Sequence, residues 1–205
     1  EDGTLDTNWN TAVANENFRQ ALLCGVNLKN FWERTNRINP LGIENLCFTM
    51  KGLLKFSDGR DYTDRVIELM EYPDSNGDLP RRFDEAKGIE YRDKAIEELT
   101  AKGVTFPIQM DYYIKAGSAT GLDNATVLKE CVEGTLGSDF INLNIKTYVN
   151  SQTQEVTAPG LHSITGSGWG ADYGDVENFH DQIVYGSDNA YYANSYTYIN
   201  ECQDP

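Results

Sequence analysis

Several classes of protein require features that this chain lacks. No stretch approaches the roughly 18 consecutive apolar residues of a bilayer-spanning helix. The N-terminus, Glu1-Asp2-Gly3-Thr4, is polar and acidic and has no basic-then-apolar export profile. Cations are scarce: 17 Lys and Arg stand against 32 Asp and Glu, a net charge of −15. That balance argues against nucleic acid, whose binding rests on a surplus of Lys and Arg that displaces counterions from phosphates. Anionic membrane surfaces are disfavoured for the same reason. Only two histidines occur, His162 and His180, and neither has a helical i,i+4 partner of ligand type, so a metal site or a His-centred triad has no support. The cysteines Cys24, Cys47, Cys131 and Cys202 are never at C-x-x-C spacing, which removes zinc and thioredoxin-like readings. Neither G-x-x-x-x-G-K-[ST] nor G-x-S-x-G is present. Asp74-Ser75-Asn76-Gly77-Asp78 looks like a calcium loop, but its glycine stands at the fourth place of the pattern and Leu79 fills the sixth, where the sharp turn needs glycine, so it reads as a surface turn. No catalytic residue, metal or cofactor is assigned.

What is present is an ordinary globular composition, 40% hydrophobic and 24% charged over 205 residues, enough for one well-filled domain or two small ones. Asn15–Gly25 reads as a helix with Phe18, Ala21 and Leu22 on one face, and Asn27 as the N-cap of a short helix carrying Phe31 and Trp32. A third helix starts at Asp61 or Thr63 and runs through Val66, Leu69 and Met70, and Tyr72–Pro80 is a turn-rich loop. Asp84 opens a long helix with an apolar stripe of Tyr91, Ala95, Ile96 and Leu99, ended by Gly103. Alternation from Phe106 to Ile114 predicts a strand. A helix over about Asn124 to Leu136 and a strand through Ile141, Leu143 and Ile145 follow. Helix, strand, helix, strand at this spacing predicts an α/β layered domain with parallel strands. Cys24 and Cys131 fall on apolar helix faces as buried thiols, and Cys47 and Cys202 are free to pair or not. The tyrosines Tyr191, Tyr192, Tyr196 and Tyr198 suit sheet packing or a binding surface.

The most informative segment is Gly166-Ser167-Gly168-Trp169-Gly170-Ala171-Asp172-Tyr173-Gly174-Asp175, between a strand expected at Ser163–Trp169 and a helix expected at Val176–Tyr185. Its glycines leave main-chain groups uncovered, so that another backbone can approach. Trp169 offers a flat apolar wall and Asp172 one anionic acceptor. The alternative is a strand-to-helix turn in which Trp169 is core and Asp172 caps the helix.

Several segments, taken in order, resemble one family. Asn15-Glu16-Asn17-Phe18-Arg19-Gln20-Ala21-Leu22 resembles the N-x-x-[VF]-R-Q-A-L helix of oligopeptide- and dipeptide-binding proteins of ABC importers (family 5 type). Asp84-Glu85-Ala86-Lys87 and Lys94-Ala95-Ile96-Glu97-Glu98-Leu99 with Gly103 resemble their helix ending in glycine. Thr105-Phe106-Pro107-Ile108 resembles the strand that follows it. Gly168-Trp169-Gly170-Ala171-Asp172-Tyr173 resembles their G-W-x-A-D-Y segment. The matches cover roughly residues 10–185.

The resemblance implies a fold: one lobe of a periplasmic-binding-protein type II architecture, a mostly parallel sheet flanked by helices, with residues 1–205 as a single α/β domain. It matches the second of two lobes, so the expected partners are a peptide ligand, the missing first lobe and the membrane subunits of an ABC importer. The expected location is extracytoplasmic, in the periplasm or as a cell-surface lipoprotein. By resemblance, the backbone of Gly168, Trp169 and Gly170 pairs with peptide as an added strand, and Asp172 receives its α-ammonium. Such a protein binds and delivers without a chemical step. Here Gly174-Asp175-Val176 replaces the family's frequent proline-containing turn. The alternatives are a nickel chelate or an oligosaccharide on the same scaffold, or a secreted α/β hydrolase, for which His162 and His180 leave few options.

Overall fold

A computed structural model describes residues 6–70, 81–166, 168, 170–184 and 186–188. In chain order its elements are α1 (Thr7–Val13), α2 (Glu16–Gly25), α3 (Lys29–Glu33), a 3-10 turn (Pro40–Ile43), α4 (Tyr62–Leu69), α5 (Glu85–Ala101), strand β1 (Ile108–Lys115), α6 (Ala119–Leu136), β2 (Ile141–Tyr148), a π-helical turn (Thr153–Thr157) and α7 (Val176–His180). Residues 1–205, read above as one α/β domain, divide by their contacts into two compact units. Unit 1 comprises Glu1–Glu44 and Pro73–Thr165, and unit 2 comprises Asn45–Tyr72 and Gly166–Pro205. The loop Tyr72–Pro80 with its calcium-like run, the C-terminal tyrosines and Cys202 lie outside the described residues.

Unit 1 is assembled around a contact between two glycines. Asn15 starts α2 by accepting the Phe18 N–H at 2.8 Å, and Asp84 starts α5 by accepting that of Lys87 at 3.0 Å. Phe18, Ala21 and Gly25 are buried on α2, and Gly88, Ala95 and Leu99 on α5. Where these helices meet, a Cβ on Gly88 would lie 2.5 Å from the Gly25 Cα, and one on Gly25 would lie 2.5 Å from the Leu136 Cδ2. No side chain fits there, so the two backbones touch and Leu136 of α6 closes over them. The Asp84 N–H donates to the Cys24 carbonyl at 2.9 Å, and Asn15 Nδ2 donates to Glu98 at 2.7 Å. Ile96, expected in the stripe, is 36% exposed at its edge.

Past α5, Gly103 takes φ +81° and the Val104 N–H returns to the Leu99 carbonyl at 3.0 Å, which turns the chain into β1. β1 and β2 pair in parallel, from Ile108 opposite Ile141 to Lys115 opposite Tyr148. Ile108, Met110, Ile141 and Leu143 are buried, and Phe140 joins Phe18 and Phe106 in a ring cluster with centroids 5.5 and 5.6 Å away. Burying each such side chain contributes about 1.5–3 kcal/mol, which makes this core the main source of order in unit 1. The outer edge of β2 is blunted by α6: Glu133 accepts the Leu143 N–H at 2.8 Å, and Lys129 donates to the Leu143 carbonyl at 2.9 Å.

Four local expectations are corrected. The helix expected from Asn124 starts at Ala119, because Ser118 caps it by accepting the Gly121 N–H at 3.0 Å. The N-cap position of α3 is Leu28, while Asn27 accepts the Lys29 N–H at 3.2 Å from one residue further out. Of the strand expected at Ser163–Trp169, the described residues form a single parallel bridge, Ile164 to Tyr112. It is held by Ser163, whose N–H donates to the Asp111 carbonyl and whose hydroxyl accepts the Asp111 N–H, each at 2.9 Å. Beyond Thr165 the glycine-rich run has few side chains suited to a pleated surface. The helix expected at Val176–Tyr185 ends at His180.

In unit 2, order rests on hydrogen bonds. Asp61 caps α4 by accepting the Thr63 N–H at 3.0 Å and hydroxyl at 2.8 Å, and its other oxygen accepts the Gly52 N–H at 2.8 Å. Among its described residues the buried set is mostly polar, Thr49, Asp61, Thr63, Asn178 and Gln182 with Cys47. Phe48, Met50, Leu54, Phe56 and Leu69 are exposed instead, Met50 to 60%. Net gains of about 1 kcal/mol per hydrogen bond replace the apolar burial that unit 1 enjoys.

Two outcomes follow. Gly88→Ala is expected to lower stability by about 1–3 kcal/mol in urea titrations. Gly134→Ala, on an exposed stretch of α6 where a Cβ meets nothing within 4 Å, is expected to raise it by about 0.5–1 kcal/mol. Acid should loosen unit 2 as well. The Thr63 hydroxyl, then the Thr63 and Gly52 amides, hold the Asp61 carboxyl below its ordinary range. Because the unfolded chain takes up the proton first, this contribution is complete above about pH 5 and is withdrawn as pH falls through about 3.9 and below. Asp61→Asn should therefore flatten the acid-induced loss of amide protection across α4, measured relative to the intrinsic exchange rate at each pH, and an unchanged slope would contradict the assignment.

Candidate ligand-binding segment

The segment singled out in the sequence begins where unit 2 resumes, at Gly166. Gly168 and Gly170 are exposed, and a Cβ on either would meet nothing within 4 Å. Neither takes a left-handed φ. Among the described residues, neither a left-handed turn nor packing therefore demands glycine there, and the side a Cβ would occupy is open. Trp169 lies outside the described residues.

Asp172 is exposed, and its position is set through its main chain: its N–H donates to Asn178 Oδ1 at 2.8 Å. No described residue hydrogen-bonds or ion-pairs with its carboxylate. The helix cap falls to another residue, because Asp175 accepts the Glu177 N–H at 2.9 Å and starts α7. Asn178, 4% exposed, was not singled out from the sequence. An amide two residues into a helix carries no signal until the preceding turn is seen to fold back on it. α7 is in turn held by rings, His180 lying 6.4 Å from Phe48 and 6.1 Å from Tyr62 between centroids. Leu53 Cδ2 approaches Gly174 to 3.6 Å of where a Cβ would stand. Five-residue α7 thus braces the turn that carries Asp172, whose carboxylate has no partner among the described residues.

Other chemistry-bearing groups among the described residues are partly or fully buried. Burial pushes the pKa of His162 down, partly offset by a bond to the Val156 main chain, so it is neutral at pH 7. Burial pushes the thiols of Cys24 and Cys131 up, which leaves them poorly nucleophilic. Cys47 is a buried free thiol with its Sγ 3.3 Å from the Thr49 hydroxyl oxygen. Among the described residues no group of three or more His, Cys, Asp or Glu could hold a metal ion, and no helix is long and apolar enough to cross a membrane.

The chain shares its fold with part of several solved proteins. A substrate-binding domain of an oligopeptide ABC transporter from Bacillus anthracis superposes with TM-score 0.58 at 18% identity, over 92% of this chain and 32% of that one. A peptide-binding protein of a peptide ABC transporter superposes with TM-score 0.61 at 21% identity, over 96% of this chain and 74% of that one. At those identities the likeness establishes the fold. In sequence, the chain is similar to the oligopeptide-binding protein AliA of Streptococcus pneumoniae serotype 4, 26% identical over 188 residues. The match takes in 84% of this chain and spans 28% of AliA. No family model matches.

One outcome tests the brace. Asn178→Ala leaves the Asp172 N–H without its acceptor and is expected to cost about 1–3 kcal/mol, with faster exchange at the Asp172 amide than in β1 or β2. Unchanged exchange at Asp172 would show that the turn does not depend on Asn178.

Proposed function

We propose that this chain is the second lobe of an extracytoplasmic peptide-binding protein that feeds an ABC importer, and that it binds without catalysing a reaction. The observation that carries this reading is the uncovered Cβ side of the exposed Gly168 and Gly170, followed by the exposed Asp172 carboxylate, without a partner among the described residues, on a turn braced by Asn178. Strand addition along Gly168–Gly170 supplies affinity that is indifferent to side chains. A carboxylate meeting an α-ammonium in an enclosed cleft supplies a charge-assisted bond and selects for a free N-terminus. Trp169 is assigned to the wall beside the ligand main chain. The outward apolar residues of unit 2 suit contact with ligand side chains or with the first lobe. The similarity to AliA, a protein named for oligopeptide binding, supports the same reading.

In the two-lobed protein, Asp172→Asn should weaken peptides with a free amine by about 2–5 kcal/mol and N-acetylated peptides far less. Isothermal calorimetry with paired peptides measures this. Equal losses for both would remove Asp172 from ammonium recognition. Binding of nickel chelates or oligosaccharides in place of any peptide would move the cargo to a non-peptide class.

A further inference from the structure

Unit 1 hands the chain to unit 2 at Glu44 and receives it back before Arg81. Glu44 and Arg81 face each other across these two ends. Their side chains are 6% and 16% exposed, which makes them the most buried ion pair among the described residues. Glu44 Oε1 accepts the Arg82 N–H at 3.1 Å, Arg81 donates to Asn27 Oδ1 at 3.2 Å, and its guanidinium lies 5.8 Å from the Phe83 ring centroid. Glu44 Oε2 and Arg81 Nε stand 3.5 Å apart, and neither makes a hydrogen bond. Charge and enclosure hold the pair, without a directed bond between those two atoms.

We propose that Glu44 and Arg81 form a clasp that fixes the root of the excursion Asn45–Tyr72 and thereby positions the residues it carries. Closing the long loop 45–80 costs chain entropy, and the buried pair joins its two ends where the described residues of the loop bury few apolar side chains. The excursion supplies Phe48 and Tyr62 against His180, and Leu53 against Gly174. Its root therefore bears on the turn that presents Asp172. The link to ligand recognition rests on the peptide reading, whereas the clasp itself does not. Removing one partner leaves the other charge buried and alone, so the root opens to hydrate it.

Hydrogen–deuterium exchange read by mass spectrometry tests this on wild type, Glu44→Gln, Arg81→Met and Arg81→Lys. The clasp predicts roughly tenfold faster exchange over residues 45–70 in Glu44→Gln and Arg81→Met, with β1 and β2 still protected. Arg81→Lys keeps the charge and should retain most of the protection. Protection lost equally from β1, β2 and 45–70, or failure of both truncating variants to fold, would show that the pair supports unit 1 as a whole and would overturn the proposal. No change over 45–70 would overturn it too. Asp172→Asn should leave this exchange pattern intact, so the peptide reading and the clasp fail by separate measurements.

Discussion

The contact of Gly25 with Gly88 is the constraint on which the rest of unit 1 depends. Two helices can cross backbone to backbone only where neither presents a side chain, and here a Cβ on Gly88 would come within 2.5 Å of the Gly25 Cα. That closeness lets Asn15 reach Glu98 and lets the Cys24 carbonyl meet the Asp84 N–H. It fixes α5, whose end at Gly103 aims the chain into β1, and it gives Leu136 of α6 a surface to close on. A methyl group at the crossing would move α5 and everything its end directs.

Unit 2 is stabilised differently. Its described residues bury carboxylate, hydroxyl and amide groups, of which Asp61 and Asn178 accept main-chain N–H groups, and they leave large apolar side chains outside. Asp61 orders Gly52 and Thr63, and Asn178 orders Asp172. Such a framework is directional and modest in energy, suited to holding a few groups in place while ligand or another part of the protein covers the apolar surface. The candidate segment sits on the softer framework, as recognition loops commonly do.

Much of unit 1 was legible in the sequence because periodicity and caps agree there. Asn15 and Asp84 each precede an apolar helical stripe, the alternations around Ile108–Ile114 and Ile141–Ile145 mark both strands, and the helix between them implies their parallel sense. What remained hidden depends on tertiary contact. The Gly25–Gly88 crossing joins two glycines far apart in sequence, each of which reads alone as a weak helix position. Ser118 as a cap was obscured because α6 opens with small and polar residues before its apolar stripe begins. At the candidate segment the glycines, Trp169 and Asp172 were singled out by residue type. The Asn178 brace and the assignment of the helix cap to Asp175 needed the folded turn.

The central claim is that the Gly168–Asp172 segment meets peptide main chain and a free amino terminus. The most direct measurement is a crystal structure of the two-lobed protein with an unblocked peptide. The account predicts main-chain hydrogen bonds between the peptide and Gly168–Gly170, with the peptide ammonium within about 3 Å of the Asp172 carboxylate. A well-ordered peptide whose ammonium is held elsewhere, with the Asp172 carboxylate left in solvent, would contradict it.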